Sequence, residues 1–187
     1  MIILWKALLV THMNKIAVIY QSHYGTTKKY AQWIAEELGA ELVERKQASV
    51  SVFNQYDMVI YGGGLYAGGI LGVDLVAKDK FKHLVVFTVG LADPSMTDYT
   101  EIMAKGFPNK AFQPDKVFHF RGGIDYKRLN LTHRGLMALL KKTIEKKSEV
   151  EMSTEGKAIL ETYGKAINFT DKEMINPLIT YIKDMMQ

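Results

Sequence analysis

Ser22, Thr26 and Thr27 set hydroxyls around a single glycine, Gly25, directly after the apolar run KIAVIY and before a helix-like stretch. A helix start presents unpaired backbone N–H groups, and the helix dipole adds partial positive charge there. With Gly25 letting the backbone curl, the segment Ser22, His23, Tyr24, Gly25, Thr26 and Thr27 is a candidate seat for a phosphate-like anion. Lys28 and Lys29 sharpen the point. Cations in a first helical turn are unfavourable by about 0.3–1 kcal/mol each, and a bound dianion would reverse that sign. From this loop alone, an ordinary Ser/Thr-capped helix and an anion seat stay equally open. The segment is neither GxxxxGK[ST] nor GxGxxG.

A second candidate is YGGGLYAGG, residues 61–69, with five glycines in nine residues after an apolar run. Read as a loop, Gly62, Gly63, Gly64, Leu65, Tyr66 and Ala67 would let backbone approach a flat ligand, with Tyr66 able to stack on a ring. The third is TVGLADP: Thr88, Val89, Gly90, Leu91, Ala92 and Asp93 offer amides, a hydroxyl and a carboxylate after another apolar run. RGGIDY (121–126) adds Arg121 and two glycines. The five histidines are scattered without ligand spacing, so no metal site is expected, and no catalytic residue is assigned.

These segments need elements to hold them at one edge. Short apolar runs at 16–20, 58–61, 84–89 and 117–120 suit strands covered on both faces, and ELVE (41–44) alternates like an edge strand. Ala31, Ile34, Ala35 and Leu38 share a helical stripe that Gly39 is placed to stop. The patterns predict shorter helices over 70–81 and 95–105 and a longer one over 131–147. Between 41–44 and 58–61 there is room for a short helix at most. Residues 148–168 read as an excursion, and TDKE at Thr170 reads as a capping box for a last helix that Pro177 kinks or restarts. Strand–helix alternation predicts an α/β fold: a three-layer, doubly wound, five-stranded parallel sheet. Ligands then bind beyond the carboxyl ends of its strands.

The 187 residues suit one domain over 14–187. Residues 1–13 read as an extension or a misassigned start, too short in its apolar run to span a bilayer. The chain has no cysteine, which excludes disulfides and thiolate sites and fits a reducing compartment. Between Lys105 and Lys147, eleven cations meet three acids, an excess of +8 against +4 for the chain. That segment is either a solvated basic face or a docking surface for an anionic partner. Aromatics are not interleaved with the cations, so no nucleic-acid platform is expected.

KIAVIYQSHYGTTKKYAQWIAEEL resembles the opening of flavodoxins, whose phosphate loop runs roughly [ST]-x-T-G-x-T; Ser22, Gly25 and Thr27 match it and Tyr24 replaces the middle threonine. YDMVIYGGGLYAG and VFTVGLADP resemble the second and third flavin loops of that family. The resemblance covers about residues 14–145. It implies the strand order 2-1-3-4-5, FMN as cofactor, and the three loops above as its binding residues. Within the superfamily the chain is most similar to the menaquinone-dependent protoporphyrinogen oxidase branch, through YGGGLYAGG, FTVGLA, RGGIDYKRLNLTHRGLMALLKK and NFTDKEMINPLITYIK. That likeness implies an oxidoreductase passing electrons through FMN to a quinone-type acceptor, cytoplasmic and peripheral at the inner membrane face. The alternative is a non-catalytic carrier docking a redox partner. No aromatic lies in 88–94, which leaves Tyr66 or Tyr99 to supply a stacking ring.

Overall fold

The computed structural model describes residues 15–49, 53, 55–148 and 150–186. The expected N-terminal extension, 1–13, lies outside them.

β1 (Ile16–Gln21) leads through a tight turn into α1 (Thr26–Leu38) and β2 (Glu41–Glu44). β3 (Met58–Tyr66) and β4 (Gly69–Ile70) follow, then β5 (Leu84–Gly90), α2 (Thr100–Gly106) and β6 (Lys116–Arg121). The chain closes with β7 (Gly123–Asp125), α3 (Leu131–Glu145), α4 (Thr154–Thr162), β8 (Ala166–Asn168) and α5 (Asn176–Met185). The main sheet runs β2-β1-β3-β5-β6, with all four pairings parallel. This is the expected 2-1-3-4-5 order once the short β4, which hairpins back on β3, is numbered. A second small sheet pairs β7 with β8 antiparallel.

Strand period two sorts the core into two layers. Val18, Tyr20, Ile60, Val85, Phe87 and Phe120 face Tyr30 and Ile34 of α1 and Leu178 and Ile182 of α5. Ala17, Ile19, Val59, Tyr61 and Val86 face Phe53, Ile70, Val76 and Phe107. Both faces are covered, which is why the strands read as continuous apolar runs. Gly39 ends α1 in the left-handed region, as its position predicts.

Three elements differ from expectation. The run 70–81 forms only a 3-10 turn, Val73–Leu75, so its apolar residues pack as an irregular cover. In 95–105, the Asp93-capped turn Pro94–Met96 precedes a helix that begins only at Thr100. At the C-terminus Asp171, not Thr170, caps the turn Lys172–Ile175, accepting from Glu173 N. The helix then restarts at Asn176 with Pro177 in its first turn, where a missing N–H costs nothing.

Candidate functional site

The carboxyl ends of β1 and β3 meet at the switch in strand order, where the chain leaves β1 for β2 on one side and returns to β3 on the other. After Gln21, Ser22 Oγ accepts a hydrogen bond from Gly25 N at 3.0 Å and closes the turn. Gly25 takes φ 95°, a left-handed conformation that glycine adopts without penalty. α1 then begins with no side-chain cap and no acid in its first turn. Thr27 is buried, and a Cβ on Gly64 would stand 3.3 Å from its Oγ1. A Cβ on Gly122 would stand 3.4 Å from Thr26 Oγ1. Bare backbone from β3 and from the end of β6 therefore flanks the two threonines. Uncapped amides, two hydroxyls and side-chain-free walls form a donor set that fits a phosphate group. The two lysines differ: Lys29 turns back over the Trp33 ring, 4.8 Å from its centroid, and donates to Thr170 Oγ1, while Lys28 stays exposed.

Above this seat stands a cluster of four rings. The Tyr24 hydroxyl hydrogen-bonds Nδ1 of His133, in the first turn of α3. His23 lies 5.1 Å from His133 and 5.4 Å from Tyr66, centroid to centroid, and Tyr66 lies 5.4 Å from His133. Burial, and then the charge His133 would carry, hold the His23 imidazole below its ordinary pKa. Tyr66 is thus one wall of a ring cluster rather than a free platform. His133 escaped sequence reasoning because the contact spans 109 residues. The Asn130 cap, which accepts from His133 N, was the local signal that this histidine opens a helix.

The glycine run proves to be strand. Gly62 and Gly63 are buried between β1 and β5. Their missing side chains make room for Phe87 and Ile70, not for a ligand. Gly64, Leu65 and Tyr66 are half-buried at the strand end. Ala67 and Gly68, at φ 49° and 75°, turn the hairpin into β4, with Tyr66 opposite Gly69. The expected loop shrinks to this exposed turn.

The third segment is also partly spent. Thr88 is fully buried, and its Oγ1 lies 2.6 Å from His119 Nδ1. Val89 belongs to the core. Gly90 reaches the sheet edge, but the amides of Leu91 and Ala92 each donate to the Glu155 carboxylate at 3.1 Å. Asp93 caps its own turn, accepting from Ser95 N and Oγ, and these bonds hold its carboxyl below the usual range. Arg121 donates to Leu91 O at 3.0 Å and lies over Phe169. The 148–168 excursion therefore has a structural role: α4 places Glu155 on the third loop, and its Ala158 and Ile159 pack with Leu91 and Ala92. Nothing local marks Glu155, 63 residues from Ala92, as a loop ligand.

His119 gives a pH prediction. It stacks on Tyr99 with centroids 3.5 Å apart, and burial pushes its pKa down to about 4. The unfolded chain takes up that proton near 6.5, so stability is full above pH 6.5 and falls as pH drops towards 4. After discounting for solvent screening the loss is about 1–2 kcal/mol. Thermal midpoints measured from pH 7 to pH 4 should fall less steeply in His119→Gln; equal slopes would remove His119 as the cause.

Among the described residues no cluster of three or more acids and histidines could hold a metal, and no helix is long and apolar enough to cross a membrane. The family described as Flavodoxin domain matches residues 17–151. An uncharacterized protein of Methanocaldococcus jannaschii is 26% identical over 128 residues, 59% of this chain and 85% of that protein. A solved flavodoxin, WrbA-like protein from Agrobacterium tumefaciens is 24% identical with a TM-score of 0.37, over 44% of this chain and 63% of that one. A flavoprotein from Lactobacillus acidophilus, solved in complex with FMN, is 16% identical with a TM-score of 0.43, over 57% of this chain and 93% of that one. The parallel sheet in β2-β1-β3-β5-β6 order, the turn at Ser22–Thr27 and the match over 17–151 together place the chain in the flavodoxin domain family.

Proposed function

We propose that this chain binds FMN and serves as a redox protein. The observation that carries the reading is the uncapped start of α1, flanked by Thr26, Thr27 and the side-chain-free backbone of Gly64 and Gly122 at the strand-order switch. A phosphate monoester seated there would complete the free helical amides and take up the charge of Lys28. Bound FMN would supply one- and two-electron transfer. The chain's own part is to hold the phosphate at Ser22–Thr27 and border the ring with Tyr66, Ala67, Gly90 and Asp93. Glu155 fixes the shape of the third loop, so Leu91 and Ala92 contribute position rather than donors. The purified protein should be yellow, and after stripping should take up one FMN with a Kd of about 1 μM or tighter. A colourless protein that takes up no added FMN sinks the reading.

Within that reading we favour an oxidoreductase, resembling the protoporphyrinogen oxidase branch, that delivers electrons to a quinone-type acceptor at an anionic surface. Leu131, Leu136 and Leu139 of α3 are 85%, 47% and 63% exposed, and Lys142 and Lys146 follow Leu139 on the same helical face. Leucines standing in water among lysines suit a surface with both charge and an apolar layer better than a purely polar partner. The flavin-loaded protein separates the two readings. Sedimentation with anionic vesicles and turnover of a porphyrinogen with a quinone support the enzyme. Reduction by a flavodoxin reductase, without either, supports a carrier.

A further inference from the structure

The segment after β6 builds a second cleft that the cofactor site does not use. Tyr126 follows β7, and its N–H donates to Lys165 O beside β8. Tyr163 ends α4, and Gly164, at φ 77°, turns the chain back into β8. Tyr126, Lys127, Arg134, Tyr163 and Gly164 line a shallow, open cleft of about 340 Å³. The two tyrosine rings pack on each other at its floor, 4.9 Å apart between centroids and inclined at 57°, and Tyr163 is the more exposed of the two.

One hydroxyl there lacks a partner among the described residues, and two cations lack an acid. Tyr126 is 9% exposed, and its buried hydroxyl makes no hydrogen bond among the described residues. Burial raises that phenol to about 12, so it stays a neutral donor at any working pH. Arg134 spends one N–H on Lys127 O at 2.9 Å, which fixes its guanidinium, and neither Arg134 nor Lys127 pairs with an acid among the described residues. Asp125, the nearest acid along the chain, accepts from Lys127 N instead. Lys141 sits 4.7 Å above the Tyr163 ring and adds a third cation, though its ammonium also pairs with Glu145.

We propose that this cleft binds a planar aromatic anion of one or two fused rings, laid on the half-buried Tyr163 ring with its acidic group on Arg134 and Lys127. Aromatic faces take flat rings, and a fixed guanidinium takes a carboxylate through two parallel N–H bonds. The volume is at the lower end of that typical for small-molecule sites, which suits one or two rings. The cleft shares no residue with the phosphate seat, so the proposal stands whether or not FMN binds. It nevertheless adjoins that seat through one turn of α3, where His133 reaches Tyr24 and the next residue, Arg134, reaches the cleft.

Calorimetric titration of the whole purified chain with 2-naphthoate tests this, run with and without bound FMN. Saturable binding of one naphthoate is expected. Neutral 2-naphthalenemethanol should bind at least about tenfold more weakly, and Arg134→Gln and Tyr163→Leu should each weaken naphthoate by about tenfold. Arg134 is exposed, so its variant should keep the parent's melting midpoint and leave the loss attributable to the cleft. No saturable binding, equal binding of the neutral analogue, or affinity unchanged in both variants would overturn the proposal.

Discussion

Gly62→Ala is expected to destabilise the protein by about 3 kcal/mol, the upper end of what overpacking a core usually costs. A Cβ at that position would lie 2.0 Å from Phe87 Cζ and 2.5 and 2.6 Å from its two Cε atoms. Phe87 is opposite Gly62 in the β3–β5 register and is fully buried. Its ring has no easy retreat, because Phe120 lies 5.5 Å away on the same face with Tyr30 and Val89 in the same cluster. Gly62 itself has an ordinary strand φ, so the whole cost is steric rather than conformational. Gly135→Ala is the matched control: it sits inside α3 with nothing within 4 Å of the added Cβ. There the helix propensity of alanine should stabilise by about 0.5–1 kcal/mol. Urea titrations should move the two midpoints in opposite directions. A Gly62→Ala midpoint close to the parent's would mean that β3 is not packed as described.

That glycine shows where sequence reading reached its limit. Apolar runs identified four of the five main strands, because a parallel sheet covered on both faces writes itself as continuous hydrophobicity, and the edge strand β2 showed instead through its alternation. The same rule hid the end of β3. Three glycines in a row look like a loop when their partners are unknown; the register sets Gly62 opposite Phe87, and the space a side chain would need at Gly63 is filled by Ile70. The turn at Ser22–Thr27 was legible because its signals are local: a strand end, a glycine and a run of hydroxyls within one helical turn. The third loop was legible only as a place. Its hydrogen bonding is settled by Glu155 and His119, residues brought in by α4 and β6 from 31 to 64 positions away. Tyr24 belongs to the same class. Its departure from the threonine of the flavodoxin pattern makes sense beside His133, whose Nδ1 hydrogen-bonds the hydroxyl and ties α3 to the Ser22–Thr27 turn.

Lys28→Glu should raise the stability of the flavin-free protein by about 1 kcal/mol and weaken FMN binding by about tenfold to a hundredfold. Both effects follow from one position. Lys28 is the third residue of α1, exposed, in a first turn with neither an acid nor a side-chain cap. Without an anion the lysine opposes the helix dipole, and a glutamate would favour it and the free amides. With a phosphate seated at those amides the signs exchange, since the lysine then attracts a dianion and the glutamate repels it. An ordinary helix start predicts the gain in stability without the loss of affinity, so the opposed changes separate the two readings that the loop alone left open. Salt provides the second check: the affinity gap should narrow as ionic strength rises, because Lys28 is exposed to screening. Lys29→Glu should change affinity less, since Lys29 already points to Trp33 and Thr170 and away from the seat. If the two variants bind FMN as the parent does while both gain stability, the start of α1 is an ordinary helix end and the phosphate sits elsewhere.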